Sequence, residues 1–234
     1  MSGEVAPTVK EGSSVFSGGP SFTVGLLHQV ADTAPGCGLP EAMTLKEKQY
    51  KWRREDYQEK TRGLLIVHTG NGKGKTTSAL GLMMRAAGRG LKCCMVQFMK
   101  SRNDRYGEHV SAEKLGIEIH TMGDGFTWDT KNPEQDRQTA RDTWNLCVEK
   151  LRSTDYDLLV FDELVYVLSY GMLPLEEVLE EFRAVRKGQP ALHIVVTGRD
   201  APEGLILDAD LVTEMREIKH PFNAGIRAQQ GIEF

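Results

Sequence analysis

A glycine-rich segment with two lysines and three threonines spans residues 69–77 and directly follows the apolar run 64–67. Its pattern is typical of a turn between a strand and a helix that binds the phosphates of a nucleotide. In such a turn, backbone N–H groups and the positive end of the helix dipole face the phosphates. The candidate phosphate-binding residues are Gly70, Asn71, Gly72, Lys73, Gly74, Lys75, Thr76 and Thr77. Lys75 and Thr76 would contact phosphate and magnesium, respectively.

One position of this segment departs from the usual phosphate-binding pattern. The pattern has a glycine five positions before the glycine of the Gly-Lys-Thr triplet, and Thr69 occupies that position here. The first glycine, Gly70, comes one residue later. We therefore expect the loop to bind phosphate in a conformation of its own.

Two acidic residues, Asp162 and Glu163, follow the apolar run 158–161. An acid at the end of a buried strand beside a phosphate-binding loop normally holds Mg²⁺ or its water shell, opposite the threonine of the loop. The alternative is that Asp162 only caps the helix that follows. The presence of the loop favours the metal role, with Thr76, Asp162 and Glu163 as the candidate ligands.

Basic residues that follow predicted strands are further candidates for phosphate contacts. Arg199 comes directly after an apolar run, and its planar guanidinium group suits a polyphosphate. The alternative for Arg199 is a surface ion pair with Asp200 or Glu203. Lys73 and Lys100 are candidates of the same kind.

Two aromatic residues, Phe126 and Trp128, lie in a segment that contains Gly123 and Gly125 and precedes Asn132. This composition favours a loop over a core element. The two aromatic side chains either fold back over the core or form a flat apolar platform for a large planar ligand. The residues alone leave both interpretations open.

Strands and helices are predicted to alternate through the rest of the chain. The predicted strands are 63–69, 92–98, 116–122, 157–162, 191–197 and 211–218, and the predicted helices are 75–88, 105–115, 133–152, 174–187 and 203–208. Strands that are apolar throughout favour a parallel sheet covered on both faces. The expected fold is therefore α/β, with a mostly parallel sheet flanked by helices and with ligands at the carboxyl ends of the strands.

Two segments precede the predicted α/β domain, which spans residues 63–234. Residues 1–42 are rich in Gly, Ser and Pro and are expected to be a disordered leader. A start of translation at Met43 is one hypothesis for the origin of this leader. Residues 43–62 are highly charged and favour a helix, which is either solvated or covers a ligand that is bound only part of the time.

Composition excludes several classes of function. A net charge of −4 and a pI near 5.9 argue against bulk binding of nucleic acid or anionic membranes, and no apolar run approaches the roughly 20 residues of a membrane helix. None of the four cysteines forms a C-x-x-C pair, and the histidines lack metal-ligand spacing. Buried thiols in a reducing cytoplasm are therefore expected, rather than a zinc site.

Together, these segments resemble the ATP:cob(I)alamin adenosyltransferases, also called corrinoid adenosyltransferases, which have a P-loop fold of the RecA-like type. The resemblance covers about residues 43–234. Its landmarks are Thr69–Thr77, Val96–Phe98, Gly125–Trp128, Asp162–Leu164, Leu173–Val178, Thr197–Arg199, Lys219–His220 and Ala224–Phe234.

The resemblance implies transfer of the 5′-deoxyadenosyl group of ATP to the Co(I) of a reduced corrinoid, with release of triphosphate. Because Co(I) is itself a strong nucleophile, positioning and charge neutralisation should dominate over acid–base catalysis. Gly70 through Thr76 and Arg199 would bind the triphosphate, with Lys75, Thr76, Glu163 and Arg199 as catalytic residues. Thr76 and Glu163, together with Asp162, would order Mg²⁺ or Mn²⁺.

The same resemblance extends to the corrinoid side of the reaction. It implies that ATP lies reversed along the loop, that Phe126 and Trp128 lie against the corrin and displace its lower axial ligand, and that the helix at 43–62 closes over the corrinoid. It also implies a homodimer and a reductase, with a flavoprotein as one option. Whether the substrate is complete cobalamin or an earlier corrinoid stays open.

Two rival functions fit parts of the sequence. A conventional P-loop kinase or ATPase would share the loop and the acid, but an arginine-bearing lid and a base for an acceptor hydroxyl are not evident. A non-catalytic ATP-dependent assembly or DNA-binding module is the second rival, and the acidic balance argues against DNA as its partner.

Overall fold

A computed structural model of the chain describes residues 62–123 and 132–233. The strands are β1 Leu65–Thr69, β2 Cys93–Ser101, β3 Glu118–Gly123, β4 Leu158–Asp162, β5 His193–Thr197 and β6 Leu211–Glu214. The helices are α1 Lys75–Ala87, α2 Gly107–Leu115, α3 Pro133–Arg152, α4 Leu164–Ser169, α5 Leu175–Gly188 and α6 Glu203–Asp208, and Pro221–Ala224 forms a 3₁₀ turn. Three predicted features lie outside the described residues. They are the leader at 1–42, the helix at 43–62 apart from Arg62, and the aromatic residues Phe126 and Trp128.

The six strands form one sheet in the order β3-β2-β4-β5-β1-β6, and every pair of neighbours is parallel. Crossover segments that contain helices join consecutive strands, as parallel pairing requires. This sheet confirms the predicted α/β fold of a P-loop protein. Strand β1, which carries the glycine-rich loop, lies between β5 and β6.

Helices cover both faces of the sheet and make two apolar layers. On one face, Phe161 of β4 stacks on Phe182 of α5 at 5.9 Å between ring centroids, and Trp144 of α3 lies edge-on to both rings. On the other face, Ala79 and Met83 of α1 are fully buried against the sheet. Burial on both faces explains why the central strands are apolar throughout.

Three elements differ most from the sequence prediction, each for a local reason. Strand β6 ends at Glu214 instead of residue 218, because the backbone of the next residue turns toward the glycine-rich loop and accepts a hydrogen bond from it. Helix α4 was not predicted, because its sequence is apolar and β-branched and resembles a continuation of β4. The 3₁₀ turn at Pro221–Ala224 was not predicted either, since four residues give no periodicity.

Candidate active site

A row of polar side chains crosses the sheet near the carboxyl ends of its strands. Strand register brings together Thr121, Gln97, Asp162, Thr197, His68 and Thr213, one residue from each strand. Two residues earlier, the corresponding row is apolar and consists of Ile119, Met95, Val160, Val195, Ile66 and Leu211. Because side chains alternate along a strand, both rows face α1. The sheet therefore changes from apolar to polar at one depth, directly below the glycine-rich loop.

The lysine of the loop is buried and holds the loop in shape. Lys75 begins α1, and its ammonium group donates hydrogen bonds to the backbone carbonyls of Gly70 and Gly72, each at 2.7 Å. Burial lowers the pKa of Lys75, and the nearby carboxylate of Glu163 opposes that shift. The ammonium group has three N–H donors, so one of them remains for a ligand.

The first two glycines of the loop are required by a close backbone approach. Gly70 has φ of 93°, and a Cβ added there would lie 2.5 Å from the carbonyl oxygen of Met215. At Gly72, an added Cβ would lie 2.7 Å from the carbonyl oxygen of Arg216, and the Gly72 N–H donates to Met215 O at 2.6 Å. The chain that follows β6 therefore supports the loop from behind, and side chains at these positions would push the two apart.

Thr69, which replaces the usual first glycine, ends β1 and joins two loops. Its hydroxyl accepts a hydrogen bond from the N–H of Ala201 at 3.1 Å, and its carbonyl accepts one from the N–H of Met215 at 2.8 Å. The first contact reaches the loop that carries Arg199. Thr69 thus couples the two loops, which the sequence did not predict.

Asp162 is fully buried and accepts hydrogen bonds from three side chains. Its Oδ1 atom accepts from Thr76 Oγ1 at 2.8 Å and from Thr197 Oγ1 at 2.7 Å. Its Oδ2 atom accepts from Gln97 Nε2 at 3.3 Å. The cap position of α4 is Glu163 and not Asp162, so the alternative in which Asp162 only caps the helix does not fit.

Glu163 has a strained backbone and a side chain with an unpaired buried oxygen. Its φ is 65°, in the left-handed region that few residues other than glycine adopt. Its Oε2 atom is buried and has no hydrogen-bond partner among the described residues. Burial, followed by the nearby Asp162 carboxylate, raises the pKa of Glu163 to about 7. Strain and an unsatisfied charged group in one residue are typical of functional sites, where a ligand compensates for both.

The oxygen atoms near the loop fit a hard divalent cation. Thr76 Oγ1 and the carboxylates of Asp162 and Glu163 are the ligand types that Mg²⁺ prefers. Asp162 already accepts three hydrogen bonds, whereas the unpaired Oε2 of Glu163 is available. Sequence reasoning grouped these three residues, and the fold brings them to the same end of the sheet.

Arg199 projects from the end of β5 beside the same group of residues. The preceding Gly198 has φ of 142°, and a Cβ added there would lie 2.6 Å from the Cβ of Val165, so the turn requires glycine. Arg199 is exposed, yet its positive charge adds to the burial that lowers the pKa of Lys75 and opposes the burial that raises the pKa of Glu163. Within residues 62–123 and 132–233, no carboxylate forms an ion pair with Arg199, contrary to the surface-pair alternative.

The other two candidate lysines are already paired. Lys100 forms an ion pair with Glu108 of α2, and its ammonium group lies 4.0 Å from Asp162 Oδ2. Lys73 forms an ion pair with Glu233, with 3.2 Å between Nζ and Oε1. Lys100 therefore lies beside the acids, whereas Lys73 connects the loop to the carboxyl-terminal segment.

Sequence reasoning missed several buried polar residues beside Asp162. Gln97 is fully buried, and its side chain contacts Asp162, His109 and Thr121. One signal could have identified it, because Gln97 is a polar residue within the apolar run 93–99. His68 gave a weaker signal of the same kind; its Nδ1 atom is buried without a partner among the described residues, and burial lowers its pKa.

A second polar cluster lies at the β3 edge of the sheet, where donor atoms of Cys94, Glu118 and His120 lie within 4.8 Å of one another. Burial raises the pKa of the Cys94 thiol to about 12, so the sulfur is protonated. Glu118 accepts hydrogen bonds from Lys150, at 2.9 Å, and from Tyr156. Burial opposes the effect of these bonds, but together with His120 they lower the pKa of Glu118 to about 2. The cluster is therefore an ion-pair network that ties β3 to α3.

No helix among the described residues combines the length and the apolar character that crossing a membrane requires.

The parallel sheet and the loop with its buried lysine define the class of P-loop nucleotide-binding proteins. The family model described as ATP:corrinoid adenosyltransferase BtuR/CobO/CobP matches residues 61–234.

Curated relatives agree with the family model. The chain is 45% identical to the corrinoid adenosyltransferase of Pseudomonas aeruginosa over 176 residues, covering 74% of this chain and 84% of that protein. It is 38% identical to the corrinoid adenosyltransferase of Escherichia coli K12 and 37% identical to corrinoid adenosyltransferase CobA of Salmonella typhimurium. Each of these two matches spans 200 residues and covers 81% of this chain and 100% of the relative.

The chain belongs to the ATP:corrinoid adenosyltransferase family. It is therefore an enzyme of ATP-dependent corrinoid adenosylation, and the resemblance on which the sequence prediction rested is confirmed. The conventional kinase or ATPase that was kept as the alternative is not favoured.

Proposed function

We propose that the chain transfers the 5′-deoxyadenosyl group of ATP to the Co(I) of a reduced corrinoid and releases inorganic triphosphate. The electron pair of Co(I) forms the Co–C5′ bond, and the C5′–O bond breaks with its electrons going to the triphosphate oxygen. The observation that carries this proposal is the buried and unpaired Oε2 atom of Glu163, close to the charges of Lys75 and Asp162, in a chain of this family.

The leaving group is a polyanion, and the residues around the loop suit it. Lys75 has one N–H donor left after its two bonds to the loop carbonyls, and we assign that donor to a phosphate oxygen. Arg199 would approach the triphosphate from the end of β5, with its planar fork on two oxygens. The backbone N–H groups of residues 70–77 and the start of α1 would supply the remaining donors.

We assign the metal position to Thr76 and Glu163, with Asp162 as a supporting acid. Glu163 has the available oxygen, and Asp162 fixes the hydroxyl of Thr76 through its hydrogen bond at 2.8 Å. When bound there, Mg²⁺ or Mn²⁺ supplies charge neutralisation for the departing triphosphate. Glu163 would then exchange an unfavourable burial for a metal contact, which explains why its strained conformation is retained.

A general base is not needed for this reaction, because the nucleophile is the metal centre of the substrate. Cations and oriented donors at the leaving group are instead what lowers the barrier. Lys75 and Arg199 supply such cations beside the loop, and membership of this family favours loss of triphosphate over transfer of a phosphoryl group.

Corrinoid binding stays a proposal that rests on the sequence. Phe126 and Trp128 would contact the corrin, and the helix at 43–62 would cover it. A homodimer, a flavoprotein reductant and a cytoplasmic location are further proposals from the same source. Light scattering of the purified full chain tests the dimer, since a mass of one 26.1 kDa chain would contradict it.

The reaction is tested by incubating the protein with Mg-ATP and chemically reduced cobalamin. We expect the spectrum of a light-sensitive alkyl-cobalt species to appear, with one triphosphate released per corrinoid converted. ADP as the nucleotide product, without a change in the corrinoid spectrum, would overturn the proposal.

Matched lysine variants test the assigned roles in the same assay. Lys75→Met removes the buried ammonium group and should lower kcat/KM by about 100-fold or more. Lys187→Met removes an ammonium group from the last turn of α5 and should leave the rate unchanged. Equal effects of the two substitutions would contradict the role given to Lys75.

A further inference from the structure

Gln97 connects the acid Asp162 to two side chains of neighbouring elements. Its Nε2 atom lies 3.3 Å from Asp162 Oδ2, and its Oε1 atom lies 2.9 Å from Thr121 Oγ1 and 3.0 Å from His109 Nε2. Thr121 belongs to β3 and His109 to α2, so Gln97 links three elements from a fully buried position.

The network fixes the orientation of the Gln97 amide and the tautomer of His109. The Nδ1 atom of His109 accepts the N–H of Tyr106 at 3.0 Å, so the ring proton is on Nε2. Nε2–H then lies between Gln97 Oε1 and Thr121 Oγ1, at 3.0 Å from each, and the Thr121 hydroxyl donates to Gln97 Oε1 at 2.9 Å. Burial lowers the pKa of His109, which agrees with a neutral ring. With its oxygen facing two donors, Gln97 must turn its NH₂ group toward Asp162.

Few other contacts fix the orientation of the Asp162 carboxylate. Its Oδ1 atom is bonded to Thr76 and Thr197, and its Oδ2 atom has only Gln97 within hydrogen-bond distance among the described residues, with Lys100 at 4.0 Å. Without the Gln97 donor, the buried carboxylate can rotate and carry the Thr76 hydroxyl with it. A network whose members are all satisfied restricts such rotation.

The first turn of α2 therefore contacts the active site twice. His109 reaches Asp162 through Gln97, and Glu108 reaches it through Lys100. Tyr106, at the start of the same helix, donates its N–H to His109. A shift of this helix end would change both the orientation and the electrostatic surroundings of Asp162.

We propose that Gln97 and His109 are positioning residues that fix the Asp162 carboxylate, and through it Thr76, in the geometry that binds the divalent cation with ATP. This proposal rests on the metal position assigned above. The other role that the network can have is structural, in which His109 only caps the start of α2 through Tyr106. The two roles use different nitrogen atoms of the His109 ring.

Two substitutions at His109 separate the two nitrogen atoms. In His109→Gln, the side-chain NH₂ can reach the place of Nε2 and keep the donor to Gln97, but the acceptor for Tyr106 is lost. In His109→Asn, the side-chain oxygen can reach the place of Nδ1 and keep the acceptor for Tyr106, but the donor to Gln97 is lost. Gln97→Met removes the amide at nearly constant volume and provides a third variant.

The experiment measures binding of Mn²⁺ to the full chain in the presence of ATP, from the electron paramagnetic resonance signal of free Mn²⁺. The melting temperature of each variant is recorded alongside. We expect His109→Asn and Gln97→Met to weaken Mn²⁺ binding roughly 10- to 100-fold, as loss of a residue behind a metal ligand does. His109→Gln should stay within about threefold of the wild type on the same principle.

The outcomes distinguish this proposal from the one on which it rests. If the wild type binds Mn²⁺ with ATP but His109→Asn binds it equally well, the positioning role is overturned and the metal position stands. If His109→Gln loses binding together with melting temperature while His109→Asn keeps both, His109 is only a helix cap. If the wild type itself shows no ATP-dependent binding of Mn²⁺, the metal position and the positioning role both fall.

Discussion

Glu163 combines three local features that are unfavourable for folding. Its backbone lies in the left-handed region, its Oε2 atom has no partner among the described residues, and its pKa is raised to about 7. None of these features improves the stability of the unliganded protein. Their combination is understandable only if the carboxylate is kept for a ligand.

We therefore predict that Glu163→Gln stabilises the metal-free protein at pH 8 while removing most of the adenosyltransferase activity. The folded-state pKa lies above the ordinary value of 4.5, so the cost of the charge grows as pH rises from 4.5 through 7 and is fully present above 7. Urea unfolding at pH 8 and pH 4.5 measures this, and the gain should be much smaller at pH 4.5. An equal gain at both values would contradict burial of an ionised carboxylate.

Thr69 occupies the position at which the usual phosphate-binding pattern has a glycine. Its hydroxyl accepts a hydrogen bond from Ala201 and so joins the glycine-rich loop to the loop of Arg199. Thr69→Val removes this acceptor at nearly constant shape, and we expect the KM for ATP to rise about tenfold, since the orphaned N–H of Ala201 costs about 1–3 kcal/mol. Thr69→Ser keeps the acceptor and should be close to the wild type. Steady-state kinetics of both variants measure the KM for ATP, and an equal KM for Thr69→Val and Thr69→Ser would contradict a role for the hydroxyl.

Residues of the site differ in how far the sequence could reveal them. The placement of Lys75, Thr76 and Asp162 at one end of the sheet was predictable, because it depends on a local pattern of glycines or on a position at a strand end. Gln97 and Thr197 were not assigned roles, because their contacts with Asp162 depend on the register between strands that are far apart in sequence. The register between parallel strands has no local signal in the sequence. The contacts of Gln97 and Thr197 with Asp162 could therefore be identified only from the structure.

At the scale of elements, the glycine-rich loop depends on the segment after β6 that lies behind it. Gly70→Ala would place a Cβ 2.5 Å from the carbonyl of Met215 at φ of 93°. We expect this substitution to abolish ATP binding and to lower stability, because backbone atoms cannot move aside as a side chain can. Isothermal titration with ATP and thermal unfolding measure the two effects.

Gly81 in α1 provides the control for that substitution. A Cβ added there has no heavy atom within 4 Å, and the residue lies inside a regular helix. Gly81→Ala should raise stability by up to about 1 kcal/mol and leave ATP binding unchanged. Loss of ATP binding in both variants would point to α1 itself and not to the close approach at Met215.

Most element boundaries were predictable within a few residues, because hydrophobic period and glycine positions determine them locally. Helix α3 was predicted at 133–152 and lies at Pro133–Arg152, where Pro133 and the Asn132 cap mark its start. Helix α4 was missed, since its six residues are buried on nearly all sides and show no helical period. Tertiary packing against β5, and not local preference, determines that segment.

At the scale of the whole molecule, the ion-pair network around Glu118 ties the edge strand β3 to the helix layer. The pKa of Glu118 is lowered to about 2, so its contribution to stability is fully present above the ordinary value of 4.5 and is lost as pH falls toward 2. The Glu118 side chain is 38% exposed, so solvent screens the network and the contribution is about 1 kcal/mol or less.

We therefore predict that Glu118→Gln lowers the free energy of unfolding at pH 7 by about 1 kcal/mol or less and has no effect near pH 2. Urea unfolding across this pH range is the measurement, with Glu180→Gln as an exposed control on α5. A decrease that persists unchanged at pH 2 would show that packing, and not the charge of Glu118, is responsible.

The order of the strands has a consequence for how the chain is made. Strand β1 is the first of the described strands to be synthesised, yet its two neighbours, β5 and β6, are the last. Neither edge of β1 can pair until strands that lie more than a hundred residues further along the chain have been synthesised. The glycine-rich loop obtains its support from Met215 and Arg216 later still. A nascent chain thus carries its phosphate-binding sequence early, but the loop can bind ATP only after residues 215 and 216 have been synthesised.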